Sequence, residues 1–302
     1  MKLKAFVDTI RDDIVNYLPA DYADAEITIH NVTKNNDTKL TALCVRKKGS
    51  SIAPSINLDG FYEWVENGSM TIEDVCKNIS RTVIDQDDVN PLSDLDVSDF
   101  DAIKSRIKCK LVNAAANDRY LKDKPHRYME DLAICYYIDL CDQNMRAGIN
   151  LTYDMLDTYG VSTNDVHNIA IQNMENNKSV KIYDTIDIFN AHVPPIFWVD
   201  PDSISPDQKM YTVYNTGGIY DAAYMLCENI MDQLSAKYGG DFIIIPSSTN
   251  EFLTVPTTAI ANDVSGLSDI IREVNVQEVR DTEILSDHSY LYDSATKTIV
   301  SI

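Results

Sequence analysis

The residues best suited to chemistry lie in a short polar run that follows an apolar segment. Ser247 and Ser248 come shortly after Ile243–Ile245, and Glu251 lies three positions beyond Ser248. Nucleophilic catalysis needs a serine, a base within hydrogen-bond reach and a site that stabilises an oxyanion. His126 is the histidine that we consider as the base. Because the GxSxG motif is absent, the favoured interpretation is that both serines satisfy backbone groups of a turn.

A second candidate is a basic segment, residues 104–127, in a chain that is otherwise strongly acidic. The segment contains eight Lys or Arg residues and two Asp residues. An anion, a phosphate group or an acidic partner could bind there. Residues 82–103, directly before it, contain seven aspartates and no Lys or Arg, so ion pairing between the two segments is the favoured alternative. The anion-binding candidates are Lys104, Lys108, Lys124, His126 and Arg127.

The sequence predicts no cofactor and no metal site. There is no GxxxxGK[ST] and no GxGxxG, the loops that cradle phosphates of common cofactors. The five histidines are far apart, HExxH is absent, and the aspartates of residues 82–103 lack the spacing of a calcium loop. The six cysteines form no CxxC pair, which indicates reduced, buried thiols.

Hydrophobic spacing predicts the elements that hold these residues. A helix is expected from Leu3 to Leu18, followed by a small antiparallel meander up to Leu58. Residues 100–114 match a helix that Ser98 could cap, although residues 103–111 also alternate as a strand would. The Ser247–Asn250 turn is expected between two strands. Helices mixed with strands in this order predict the α+β class.

Three further features organise the second half of the chain. Residues 219–238 are predicted to form one long helix, and residues 131–140 either a buried strand or a helix. Four prolines within residues 188–207 exclude regular structure and indicate a domain boundary. The predicted division is an N-terminal helix and meander part, a middle part and a C-terminal α+β part, at residues 1–90, 91–200 and 201–302.

Four short motifs occur across the chain: Ile245-Pro246-Ser247-Ser248-x-x-Glu251, Asp123-x-Pro125-His126-Arg127, Asp131-Leu132-Ala133, and Leu285-Ser286-Asp287 before Tyr290-x-Tyr292. Taken together, they resemble an uncharacterised domain-of-unknown-function family found in gut-type Gram-positive bacteria and their mobile elements. The resemblance covers nearly the whole chain and implies a cytosolic bacterial or phage-related protein, but no activity. Asn250 stands where the resemblance leads us to expect a histidine.

Charge restricts the partners that we expect. The chain carries 47 acidic and 26 basic residues, a net charge of −21, which repels nucleic acid and anionic membranes and attracts basic surfaces. No uncharged apolar run approaches the length of a membrane helix, so we expect a cytoplasmic protein. Two hypotheses follow. The first is a binding or regulatory protein that acts on a basic protein partner. The alternative is a hydrolase that uses Ser247 or Ser248 with Glu251 and a histidine such as His126.

Overall fold

The computed structural model describes residues 1–49, 53, 55–88, 95–141, 146–260 and 264–302. Their contacts group into two units. The first consists of Met1–Lys34 and Thr38–Leu95, and the second of Asn35–Asp37 and Asp96–Ile302. Each unit combines helices with antiparallel sheet, so the predicted α+β class is confirmed. The predicted three-part division of the chain stays a prediction, and part of the acidic segment 82–103 lies outside the described residues.

The first unit consists of helices and a three-stranded meander that share one core. Phe6, Ile10, Leu43 and Ile79 are fully buried in it, as expected when the apolar face of each element packs against the others. The strands pair in the order β1-β2-β3, which confirms the predicted meander. The elements are α1 (Leu3–Asp13), β1 (Glu26–Thr33), β2 (Lys39–Arg46), β3 (Ser55–Asn57), α2 (Asp59–Glu66) and α3 (Ile72–Asp88).

The second unit contains two antiparallel sheets. In the smaller sheet the strands run in the order β4-β6-β5, and β7 also pairs with β6. In the larger sheet the order is β13-β12-β10-β11-β9-β8. The strands are β4 (Ile107–Asn113), β5 (His126–Met129), β6 (Leu132–Asp139), β7 (Gly148–Asn150), β8 (Lys181–Asp184), β9 (Tyr211–Tyr214), β10 (Phe242–Ile245), β11 (Phe252–Pro256), β12 (Tyr290–Asp293) and β13 (Thr298–Ser301).

Helices of the second unit pack against these sheets. Tyr136 of β6 contacts His167 of α6 through a 3.1 Å hydrogen bond, so α6 covers one face of the smaller sheet. Ser162 and Asp165 form a capping box at the start of α6. The sequence pattern of such a box marks the N-terminus of a helix. The helices are α4 (Phe100–Ile103), α5 (Tyr153–Tyr159), α6 (Thr163–Glu175), α7 (Thr185–His192), α8 (Glu228–Tyr238) and α9 (Val264–Glu278).

The helix predicted over residues 100–114 is mostly wrong. Only α4 and a 3-10 turn at Lys104–Arg106 are helical, and Ile107–Asn113 form β4, paired with β6 at seven positions. Because β4 is buried on both faces, its apolar residues also match helical spacing, and the alternating lysines carried the correct signal. The N-cap is Asp99, whose side chain accepts from the Asp101 N–H, and not Ser98.

The long helix predicted over residues 219–238 is also interrupted. Tyr220 has φ = +60°, Asp221–Leu226 form a 3-10 helix, and α8 begins only at Glu228. The Asp221 carboxyl group accepts the Asn215 N–H at 2.8 Å, which folds the preceding loop back onto the start of the 3-10 helix. This contact with an upstream residue is invisible to helical spacing.

Candidate functional site

The polar run that the sequence singled out forms the loop between β10 and β11. The Ser248 N–H donates to the Glu251 carbonyl group at 3.3 Å, and the Ser248 hydroxyl group accepts the Asn250 N–H at 3.0 Å. The Ser247 hydroxyl group donates to Glu251 Oε1 at 3.4 Å. Burial raises the pKa of the Glu251 carboxyl group, and the hydrogen bond from Ser247 opposes that shift. Both serines therefore act as turn-stabilising residues in this conformation.

The histidines have other partners. His126 lies on β5, where its Nδ1 faces the Lys124 carbonyl group at 2.7 Å and its Nε2 faces the Tyr128 hydroxyl group at 3.1 Å. Among the described residues, no imidazole hydrogen-bonds to Ser247 or Ser248. A serine needs a base within hydrogen-bond reach to become a nucleophile. The hydrolase hypothesis stays a prediction that this geometry does not favour.

Asn250, in the position where we expected a histidine, connects two neighbouring loops. Its Oδ1 accepts the Tyr220 N–H at 3.3 Å, and its amide group donates to Glu283 Oε1 at 3.2 Å. The Thr249 N–H donates to the Glu283 carbonyl group at 2.8 Å, and the Thr249 carbonyl group accepts the Ala222 N–H at 3.3 Å. The turn therefore holds the loops around residues 220 and 283 together.

Replacing Asn250 with alanine should lower the free energy of unfolding by about 1–2 kcal/mol, because two partly buried hydrogen bonds are lost. The measurement is chemical denaturation of the wild type and of Asn250→Ala. Asn164→Ala, the same substitution at an exposed position of α6, is the control and should change stability by less than about 0.5 kcal/mol. Equal stability of Asn250→Ala and wild type would contradict the bridging role.

The predicted anion-binding residues are largely paired with nearby acidic residues. Lys104 pairs with Asp101 at 2.7 Å, Lys108 with Asp139 at 2.5 Å, and Lys124 with Asp123 at 2.7 Å. His126 is engaged as described above. Arg127 is exposed and, within the described part of the chain, has no ion pair. Anion binding at these residues stays a prediction.

Two of the motif segments meet at Asp131. Its carboxylate accepts the Tyr290 hydroxyl group at 2.6 Å and the Ser286 hydroxyl group at 3.4 Å, and His288 Nε2 lies 3.4 Å from the same carboxylate. The preceding Glu130 has φ = +52° and accepts the N–H and hydroxyl groups of Ser301. Ser286 is fully buried, so the cluster ties the β5–β6 turn to β12 and β13.

Four large apolar side chains are exposed on α7 and in the turn after it. Ile196, Phe197 and Trp198 are 85%, 63% and 60% exposed, and Phe189 on α7 is also exposed. Isolated exposed apolar residues are ordinary, but four large ones within ten positions form a patch that water solvates poorly. We call these four residues, with the exposed acidic residues Asp187, Asp200, Asp202 and Asp207, the apolar–acidic surface.

Local hydrogen bonds hold this surface in one conformation. The Asn190 side chain donates to the Val199 carbonyl group at 2.7 Å and accepts the Val199 N–H at 2.9 Å. The Trp198 indole N–H donates to the Val193 carbonyl group at 3.2 Å. Pro194 and Pro195 restrict the backbone between these contacts. These contacts hold the backbone of the segment and the Trp198 side chain in place without a partner.

The acidic side chains of this surface are not neutralised by the surrounding chain. Residues 182–208 contain five aspartates and no Lys or Arg. Asp184, which does not belong to the apolar–acidic surface, pairs with Lys209 at 3.7 Å. In the regions that the structure describes, the four aspartates of the apolar–acidic surface form no ion pair. Their charges are therefore available to a partner.

Comparison with known proteins decides the family. A family model described as "Family of unknown function (DUF5688)" matches residues 3–294. The chain belongs to DUF5688. No curated protein and no solved structure matches the chain significantly. The resemblance inferred from the motifs is therefore confirmed, and membership brings no activity with it.

In this member of DUF5688, sequence reasoning missed the residues of the apolar–acidic surface. Aromatic and branched residues are usually assigned to the core. The signal in the sequence was the apolar Ile196-Phe197-Trp198 triplet, which lies in a proline-containing segment predicted to be irregular. Within the described residues, no group of three or more His, Cys, Asp or Glu side chains is arranged to hold a metal ion. Of the described helices, none has the length and apolar character needed to cross a bilayer.

Proposed function

We propose that this DUF5688 protein is a binding protein that recognises a basic protein partner through the apolar–acidic surface. The observation that carries the proposal is the exposed cluster of Phe189, Ile196, Phe197 and Trp198, flanked in sequence by aspartates that form no ion pair within the described residues. The overall charge of −21 favours the same class of partner.

Each part of the surface has a distinct role in binding. Trp and other aromatic residues supply most of the affinity in protein interfaces, and truncating one such residue typically costs about 2 kcal/mol, or about 30-fold in affinity. Because Trp198 and Phe197 are already held by hydrogen bonds of their segment, little conformational entropy is lost when they bind. The aspartates select positively charged partners and speed association.

The test compares proteins retained from a bacterial lysate by immobilised wild type and by two surface variants. One variant combines Phe197→Ala with Trp198→Ala, and the other combines Asp187→Asn, Asp202→Asn and Asp207→Asn. We expect basic proteins that the wild type retains to be lost from the aromatic variant, with binding reduced at least about 30-fold, and to be retained more weakly by the aspartate variant. Quantitative mass spectrometry measures the retention, and high salt should weaken it.

Two matched controls distinguish binding at this surface from non-specific electrostatic or hydrophobic binding. Asp154→Asn, Asp157→Asn and Glu278→Gln remove the same charge from exposed positions elsewhere. Ile270→Ala with Val276→Ala removes exposed apolar residues from α9. Both controls should retain the wild-type partners. If the controls lose them as fully as the surface variants, or if the aromatic variant keeps them, the proposal is wrong.

A further inference from the structure

Residues 215–221, which we call the lid, lie against the face of the smaller sheet that α6 does not cover. The Tyr137 hydroxyl group donates to the Ile219 carbonyl group of the lid at 3.0 Å. The rings of Tyr137 and Tyr220 meet edge to face at 5.1 Å. Tyr137 neighbours Tyr136, which faces α6, and successive residues of a strand point to opposite faces. The lid therefore covers the second face.

Two lysines of β4 lie on the face that the lid covers. Lys108 and Lys110 are two positions apart and so share one face of the strand. Lys108 pairs with Asp139 at 2.5 Å. The ammonium group of Lys110 hydrogen-bonds to the Tyr120 hydroxyl group and lies 4.8 Å from the centre of the Tyr220 ring. The lid therefore lies over the buried Lys110 and beside the Lys108–Asp139 ion pair.

The closed lid carries backbone strain and a buried carboxyl group. Tyr220 has φ = +60°, a conformation that non-glycine residues adopt at a cost. A side chain at Gly218 would place its Cβ 2.5 Å from Asp221 Oδ1, so only glycine fits there. Asp221 is 4% exposed and closes the lid by accepting the Asn215 N–H at 2.8 Å.

We propose that the lid is a proton-dependent closure, which stays shut while Asp221 is protonated and opens as Asp221 becomes charged. A charged carboxylate in this buried position loses its hydration, whereas an open lid returns the carboxylate to water. Any state with a hydrated Asp221 is therefore favoured as the pH rises. Opening would uncover Lys108 and Lys110.

The groups around Asp221 set the pH at which this happens. Burial is the largest influence and raises the pKa of Asp221 to about 7; the Asn215 N–H and the nearby cations oppose the shift, and Asp139 adds to it. The two tyrosines that interact with Asp221 remain neutral at this pH, because burial raises the pKa of each. The facing titratable groups are Lys108 on β4, Tyr137 and Asp139 on β6, Arg146 before β7, and Tyr224 in the 3-10 helix.

Hydrogen exchange of the lid amides tests the proposal in the full-length protein. The measured exchange rate divided by the intrinsic rate gives the opening constant at each pH. Because the closed form holds one proton that the open form releases, the opening constant should rise about tenfold per pH unit from pH 5 to 7 and level off above pH 7. Asp221→Asn should show no such rise, while Asp154→Asn, at an exposed position of α5, should show the same rise as the wild type.

A second set of amides distinguishes lid opening from global unfolding. The β10 segment Phe242–Ile245 is central in the larger sheet and almost fully buried. If the opening constant of the lid amides is well above that of the β10 amides at each pH, the lid opens separately and the proposal is supported. If the lid and β10 amides share one opening constant, exchange occurs only through global unfolding and the lid does not open separately. If the opening constant of the wild type does not change between pH 5 and 7, Asp221 does not control closure.

Discussion

Replacing Asp221 with asparagine is expected to stabilise the protein at pH 8 by up to about 4 kcal/mol in the free energy of unfolding. Burial raises the pKa of the folded-state carboxyl group from its ordinary 3.8 to about 7. A difference of that size corresponds to about 4 kcal/mol of cost when the group is charged in both folded and unfolded protein. An amide has the same shape, still accepts the Asn215 N–H and carries no charge.

The sign of the effect fixes its pH dependence. The folded-state pKa is raised, so the stability contributed by protonated Asp221 is fully present below about pH 4 and is lost as the pH rises to about 7. Wild type and Asp221→Asn should therefore have similar stability at pH 4 and diverge up to pH 7. Denaturant titrations at several pH values measure the difference. If the unfolding free energies of the two proteins differ by the same amount from pH 4 to 8, the predicted role of Asp221 is wrong.

Much of the fold follows from local signals in the sequence. The Ser162–Asp165 and Thr71–Asp74 boxes predict the starts of α6 and α3, and the structure contains both. Turn residues between apolar runs predict the first meander and the β10–β11 hairpin. In each case the residues that decide the structure are within a few positions of one another, so that short-range capping and turn chemistry are sufficient.

The sequence-based predictions are wrong where contacts between residues far apart in the chain determine the local structure. Helical spacing cannot show that Ile107–Asn113 pairs with β6 or that Asp221 holds the loop before it. At the candidate sites the sequence predicts the Ser247–Glu251 turn but not its contacts with Tyr220 and Glu283. The apolar–acidic surface is hidden for a different reason, because sequence alone cannot separate an exposed aromatic residue from a core residue.

The proposed binding surface and the lid are attached to neighbouring strands but at opposite ends. β8 and β9 are antiparallel, with Lys181 opposite Tyr214 and Asp184 opposite Tyr211. α7 follows Asp184, whereas the lid follows Tyr214. Because the two features leave the strand pair in opposite directions, a change at Asp221 is expected to leave partner binding unaltered, and the two proposals can be tested separately.

Breaking the mostly buried ion pair beside the lid, between Lys108 and Asp139, is expected to lower the stability of the protein strongly. Lys108 and Asp139 side chains are 16% and 14% exposed. Removing one member of such a pair leaves the other buried and uncompensated, which costs about 3 kcal/mol or more. In Lys108→Met the remaining Asp139 also faces Asp221, whose pKa Lys108 lowers in the wild type. Lys108→Met is therefore expected to lose about 3 kcal/mol of unfolding free energy and to raise the pKa of Asp221 further.

Lys104 is the matched control, because it belongs to the same basic segment and also pairs with an aspartate. Its pair with Asp101 is largely exposed, and exposed ion pairs contribute less than about 1 kcal/mol. Lys104→Met should therefore be nearly neutral. Lys108→Met combined with Asp139→Asn should recover most of the lost stability, since the double variant leaves no unpaired charge at this position and the amide oxygen can still accept the Cys141 N–H. If Lys104→Met and Lys108→Met cost the same in denaturant titrations, burial does not make the Lys108–Asp139 pair special.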